Sequence, residues 1–158
     1  MGVGKTALCR ELKKLAAPCA FLDGDWCWDM EPFQVTEETK ALVQGNIVTL
    51  LGRYLACGAF QNVVFCWVMH QRETVEALLA GLPLEGVEVT WVTLLAREET
   101  LRRRIGGDVA AGLRTWDVLG RSLERLACCR ELESALLWTD GLTPAQGARR
   151  VWELAQGG

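Results

Sequence analysis

The sequence holds no C-x-x-C pair, a single histidine and a single tyrosine. None of its apolar runs reaches the ~18 residues that a membrane span requires, so no membrane partner is expected. Basic residues are not in excess: 17 Lys and Arg face 20 Asp and Glu, for a net charge of −3. Such a balance offers no broad positive surface to a nucleic-acid polymer or to anionic lipid. The cysteines Cys9, Cys19, Cys27, Cys57, Cys66, Cys128 and Cys129 are odd in number and lack zinc-knuckle spacing. They fit free thiols in a reducing compartment, and a cytoplasmic location is expected. Internal repeats, low-complexity tracts and interdomain linkers are also missing. What is left is one domain over residues 1–158. A chain of that size buries roughly 68–70% of its unfolded surface.

The elements follow from periodicity. Leu8, Leu12 and Leu15 recur at helical spacing, so a helix is expected from Thr6 to about Ala16, ended by Pro18. A short strand follows in "CAFLDGD", Cys19 to Asp25. Thr36 to about Cys57 reads as a long helix. "NVVFCWVM" (62–69) is a run of strand formers with apolar residues on both faces, as in a strand covered by helices on both sides. Further strands are expected over Val87–Leu95 and Ser134–Asp140, and further helices over Gln71–Leu82, Arg97–Ile105 and about Thr115–Arg130. "TPAQ", Thr143 to Gln146, is a capping box with proline at the first helical position, and opens a last helix to Ala155. Strands alternating with helices predict an α/β fold with a parallel sheet and helices on both faces. In such folds the functional residues gather beyond the carboxyl ends of the strands.

Two stretches carry chemistry. In G-x-x-x-x-G-K-[ST], backbone N–H groups cradle phosphates, the lysine reaches the β- and γ-phosphates, and the hydroxyl ligates Mg²⁺. Gly4, Lys5 and Thr6 supply the second half of that pattern, with a helix behind them. The first glycine would stand five places before Gly4. On its own "GKT" is short enough to arise by chance. The second stretch is "FLDGDWCWD", Phe21 to Asp29. With strand periodicity Asp23 and Asp25 point the same way, into a cleft. One carboxylate can hold a metal-bound water and the other can take a proton from a hydroxyl. The plainer reading is an acidic turn with Gly24 at its bend.

Half a phosphate loop followed by this acid pair at the next strand end resembles the P-loop NTPase superfamily. The resemblance is to its small-molecule and nucleotide kinases: the shikimate, gluconate and nucleoside monophosphate kinases, and bacterial nucleotide kinases or AAA-family ATPases. "FLDGD" resembles the D-x-D of shikimate kinases, where the first Asp lies near magnesium and the second binds the acceptor hydroxyl. "EETLRRRI" and "GLRTWDVL" resemble the lid segment of that group, with Leu101, Arg104 and Arg114 in the matching places. The resemblance implies a P-loop kinase-like three-layer sandwich with a lid around residues 102–125. It implies ATP and Mg²⁺ as cofactors and a small-molecule acceptor. Gly2, Val3, Gly4, Lys5, Thr6 and Ala7 would bind the nucleotide, and Thr6 and Asp23 the metal. Lys5, Asp25, Arg104 and Arg114 would be catalytic. A guanidinium closing over the transferred phosphoryl group stabilises its charge, although most arginines of such a helix form a solvated face. Arg121 comes next among the candidates, and Gly106, Gly107 and Gly112 would be the hinge.

Asp25, Trp26, Trp28 and His70 are the candidate acceptor contacts. Trp26 and Trp28 follow the acids in a loop, where a ring can stack on a base or cover an apolar substrate. Trp67 suits the core better. His70 ends the second apolar run, where a structural role and a substrate contact both remain open. No acid ends that run and no glycine run follows it, so shikimate itself is not implied. The function expected is a phosphotransferase acting on a small hydroxylated or phosphorylated metabolite or nucleotide. The alternatives are a nucleotide-binding ATPase or regulatory module, and an inactive remnant. The oligomeric state is left open.

One expectation concerns the strand order 2-3-1-4-5 of this superfamily. The chain supplies the second to fifth strands but starts inside the loop that the first, central strand feeds. The runs 62–69 and 87–95 would then flank a slot. Either they close up and displace the loop, or the fold loses a ladder of hydrogen bonds. Met1 is therefore expected to be an internal methionine, preceded by an apolar strand and a glycine.

Overall fold

The computed structural model describes residues 2–130 and 133–157, without the side chains of residues 127 and 130. Helix α1 (Lys5–Leu15) begins at Gly4, whose φ of 93° is left-handed, and turns Leu8, Cys9 and Leu12 inward. Strand β1 (Cys19–Asp23) runs into a 3₁₀ turn over Gly24–Trp28. Helix α2 (Glu37–Leu55) opens with a reciprocal Thr36–Thr39 capping box, which satisfies two of its orphan amide donors. Strand β2 (Asn62–Cys66), α3 (Arg72–Ala80), β3 (Val92–Leu95), α4 (Glu98–Ala110), α5 (Asp117–Arg130) and β4 (Ala135–Trp138) follow. The last helix, α6 (Pro144–Gln156), has the expected Thr143–Gln146 box with Pro144 in its first turn.

Two parallel pairs form instead of one continuous sheet. β1 pairs with β2, in a register that sets Asp23 beside Cys66. β3 pairs with β4, ending at Leu95 beside Trp138. Among the described residues no ladder joins β2 to β3. The two runs have not closed up into a ladder of their own. With a neighbour on one side only, Val63, Val64 and Phe65 stay half-buried.

Helices hold the two pairs in one body. On one face α1 and α6 pack Leu8, Leu12 and Ala148 against Phe21 and Val64 from the first pair, and Leu94 and Leu137 from the second. Gly147 permits the close approach of these helices, since a Cβ there would stand 2.6 Å from Leu8 Cδ1. On the other face α2 and α3 bury Val43, Ile47, Leu51 and Leu78 against Leu22, Val63 and Phe65. Residues 21 and 64 face one layer, and 22, 63 and 65 the other, which is the period of two that a strand imposes. The result is a three-layer sandwich.

Several elements are shorter than their apolar runs. β2 stops at Cys66, not Met69, and β3 starts at Val92, not Val87. β1 stops at Asp23, so the period-two argument for Asp25 does not hold. α4 continues past Ile105 to Ala110.

Candidate functional site

The loop before α1 is fastened in three ways. Gly2 and Gly4 both have left-handed backbone, with φ 76° and 93°. Val3 between them is buried with Leu101, Ile105 and Val118. Arg104 on α4 then grips the loop carbonyls, its Nη1 lying 3.2 Å from Val3 O and 3.4 Å from Gly2 O. Gly4 offers no side-chain cap to the helix behind it. The first amides of α1 are therefore left for another acceptor, and a helix N-terminus favours an anion. Lys5 is the first residue of that helix and is half-buried, and Ala7 is exposed.

Thr6 and the acids meet at the end of β1. Thr6 Oγ1 donates to Asp23 Oδ2 at 2.7 Å, and Asp25 N–H donates to Asp23 Oδ1 at 3.2 Å. Asp23 is buried, while Asp25 is exposed on the 3₁₀ turn. Among the described residues no group of three or more His, Cys, Asp or Glu is placed to hold a metal by itself. A hydroxyl and one carboxylate, both hard oxygen donors, fit an Mg²⁺ that keeps its remaining positions for water and phosphate.

Beyond Asp25 lies a cleft of about 870 Å³. It brings Asp25, Trp26, Trp28 and His70 together, residues that come from the turn after β1 and the segment after β2. Trp67 also lines it. The Trp67 side chain lies over Gly24, so that a Cβ on Gly24 would stand 2.5 Å from its ring. Trp28 and Phe33 have ring centroids 6.0 Å apart on the same wall. Lys40 and Gln44 of α2 and Thr74 of α3 also line it, and sequence reasoning missed them. Lys40 reads only as an exposed residue in the first turns of an amphipathic helix, and nothing in its neighbours marks it.

The arginines divide. Arg104 bonds only to protein oxygens: besides the loop carbonyls, Nη1 reaches Thr139 Oγ1 at 3.0 Å and Nη2 reaches Thr139 O at 2.8 Å. Thr139 in turn donates twice to Leu95 O. Arg104 thereby ties the loop to the carboxyl ends of β3 and β4. Arg114 pairs with Asp108 at 3.1 Å, while its Nη1 is buried without a hydrogen-bond partner. Arg121 pairs with Asp117 at 2.5 Å. Arg121 and Arg125 both line the cleft. Of the hinge candidates, Gly106 and Gly107 lie inside α4, and Gly112 has left-handed φ in the turn after it.

Two neighbouring groups are shifted toward their neutral forms. Burial, followed by the charge of Arg125, keeps the His70 imidazole below its ordinary pKa. Under the loop, the Cys66 thiol is pushed well above the usual range by its hydrogen bond to Cys9, and then by burial.

No curated protein matches the sequence. Solved structures do match in fold. A sugar kinase from Janibacter sp. HTCC2649 aligns with a TM-score of 0.70 at 16% identity, over 98% of this chain and 89% of that one. The tunicamycin resistance protein of Deinococcus radiodurans aligns with a TM-score of 0.68 at 18% identity, over 99% and 90% of the two chains. A gluconokinase from Sinorhizobium meliloti 1021 aligns with a TM-score of 0.68 at 20% identity, over 99% and 87%. At these identities the likeness is one of fold. The family model for the AAA domain matches residues 1–110, which contain the loop, Asp23, Asp25 and Arg104. The chain belongs to the AAA domain family and is P-loop kinase-like in fold.

Proposed function

We propose that this protein is a phosphotransferase that moves the γ-phosphate of ATP, with Mg²⁺, to a small hydroxylated or phosphorylated metabolite or nucleotide in the tryptophan-lined cleft. One observation carries the reading. Thr6, Asp23 and Asp25 form a continuous hydrogen-bonded path from the phosphate loop to the cleft. Phosphoryl transfer needs this adjacency, since donor and acceptor must meet in line with water held away. The sugar kinase and the gluconokinase among its structural neighbours fit it. A cytoplasmic setting suits the seven free cysteines.

Each residue then has a task. The amides behind Gly4 and the Lys5 ammonium bind phosphate oxygens. Thr6 and Asp23 hold the metal, which when bound neutralises charge on the phosphates. Asp25 orients the acceptor hydroxyl and takes its proton. Trp26 and Trp28 shelter the acceptor, and His70 contacts it. Arg114 is free to add a partner within a lid over 102–125, because one of its nitrogens lacks a hydrogen-bond partner among the described residues.

A second reading is a nucleotide-binding regulatory module with slow turnover. It is favoured by Arg104, whose hydrogen bonds all go to the protein's own oxygens. A screen of hydroxylated and phosphorylated acceptors with Mg·ATP separates the two. ADP release that depends on one acceptor supports the phosphotransferase. Tight ATP binding with no acceptor-dependent release supports the module.

A further inference from the structure

We propose that Asp140, in the turn after β4, is a positioning residue for the loop before α1: its carboxylate caps α4, and α4 is the bed on which that loop lies. The effect on the loop is argued from geometry alone. Only its consequence for ATP rests on the phosphotransferase reading.

The loop is fastened chiefly by α4. Gly2 lies so close to this helix that a Cβ on it would meet Ile105 Cγ1 at 3.1 Å and Leu101 Cδ2 at 3.3 Å. Val3 is buried with Leu101 and Ile105, and Arg104 bonds the carbonyls of both loop residues. Packing this close transmits displacement. A shift of α4 therefore moves the backbone that leads into Lys5 and Thr6.

What fixes the start of α4 does not come from its own end. A helix ordinarily opens on Ser, Thr, Asp or Asn, but the N-cap of α4 is Arg97, whose side chain makes no cap hydrogen bond. The missing acid comes from the far side of β4. The Arg97 amide donates to Asp140 Oδ1 at 3.0 Å and to Oδ2 at 3.3 Å. Negative charge there also suits the positive end of the helix. Burial pushes the Asp140 pKa up, but the Thr100 hydroxyl and then the Arg97 amide hold it below its ordinary value, so the cap is charged at neutral pH. The preceding residue, Thr139, is buried, donates to Leu95 O from both its amide and its hydroxyl, and accepts from Arg104. Arg104 follows Arg97 by about two turns of helix. Thr139 and Asp140 thus hold α4 at two points along its length and refer it to the carboxyl ends of β3 and β4. Asp140 does not line the cleft, so it acts on the loop through α4.

The test is amide hydrogen exchange on the full chain without nucleotide, followed by Mg·ATP calorimetry. Two amides report. Leu101 N–H donates to Arg97 O in the first turn of α4, and Leu8 N–H donates to Gly4 O where the loop enters α1. In Asp140→Ala both should exchange about tenfold faster or more, the size of a lost cap, relative to the core amides of Leu22 and Ile47. Asp140→Asn keeps a carbonyl oxygen for the Arg97 amide and should show the same pattern in weaker form. The control is Thr36→Ala, which uncaps α2 and should leave both reporters unmoved against the core. Mg·ATP affinity should fall about tenfold in Asp140→Ala. The double variant Asp140→Ala/Arg104→Ala should bind ATP little worse than Arg104→Ala alone, because both changes act through α4. Faster exchange at Leu101 with Leu8 unmoved would make Asp140 a cap and nothing more, and would overturn the proposal. So would unchanged ATP affinity in Asp140→Ala when the parent binds ATP, or an additive loss in the double variant. Coupled exchange at Leu101 and Leu8, with no ATP bound by the parent, would leave Asp140 positioning the loop and remove the phosphotransferase reading alone.

Discussion

Thr6 Oγ1 donates to Asp23 Oδ2 at 2.7 Å, and so joins the first turn of α1 to the last residue of β1. The bond positions a hydroxyl and a buried carboxylate as one oxygen-lined corner. Its second carboxylate oxygen accepts from the Asp25 amide and caps the 3₁₀ turn that carries Asp25. One side chain thus sets both the oxygen-lined corner and the turn that carries Asp25.

Asp23→Asn is expected to keep the shape of that corner while removing its charge. Its amide oxygen can still accept from Thr6 or from the Asp25 amide. The Mg²⁺ concentration for half-maximal ATP binding should rise by about tenfold or more, since hard cations depend on carboxylate charge. The melting temperature should change little. A Mg²⁺ titration of ATP binding by calorimetry, run on both proteins, checks this.

A methyl group at position 24 should be felt in the cleft. A Cβ on Gly24 would lie 2.5–2.9 Å from three atoms of Trp67, all at the base of that side chain and not at a flexible end. Overpacking of this kind costs about 1–3 kcal/mol, or roughly 2–12 °C in melting temperature for a chain of this size. Gly24→Ala should therefore lower the melting temperature and shift Trp67 within the cleft that it lines. In the Trp67→Ala background the same substitution should cost far less, a coupling that a double-mutant cycle reads directly.

Much of this arrangement was legible in the sequence, for identifiable reasons. The strand and helix order follows from periodicity, which reports burial. The two capping boxes differ in this respect. Thr143–Gln146 is the expected pattern, whereas Thr39 at the third position of α2 is not, and it closes its box with a hydroxyl. Where periodicity failed, pairing was the cause. Val87 to Thr90 look like a strand, but only Val92 to Leu95 have β4 beside them. The segment 67–70 looks like the rest of β2, but β1 ends opposite Cys66 and the chain turns into the cleft. Asp25 reached the cleft by a different route from the one its spacing suggested, because Gly24 begins a tight turn. The role of Arg104 was out of reach, since its acceptors lie far off in the chain on both sides, Gly2 and Val3 before it and Thr139 after it, and arginine-rich helices look alike.

Lys5 and Asp25 should fail in different ways. Lys5→Ala is expected to reduce phosphoryl transfer by about 100-fold or more, with a smaller loss of ATP affinity, because developing charge on the phosphoryl group needs the cation most. Asp25→Asn should cut turnover by about 100-fold or more, as loss of a general base does, and leave ATP affinity near that of the parent. Steady-state kinetics together with ATP calorimetry distinguish them. Identical behaviour of Asp25→Asn and Asp23→Asn would mean that the two acids do not divide the work.

Arg104 decides between a lid arginine and a tether. The guanidinium contacts Gly2 O, Val3 O and both oxygens of Thr139, at 2.8–3.4 Å. Removing it leaves several part-buried acceptors short of a donor, at a cost of at least about 2 kcal/mol. As a tether, Arg104→Ala should lower stability and ATP affinity together, because the loop amides lose their fixed positions. Amide hydrogen exchange at Val3 and Gly4 should quicken in the nucleotide-free variant. As a lid arginine, the same substitution would instead lower turnover alone, with stability and loop exchange untouched. The geometry predicts the first pattern. Thr139→Val, which removes one acceptor and leaves Arg104 its bonds to the loop, should show a weaker form of it.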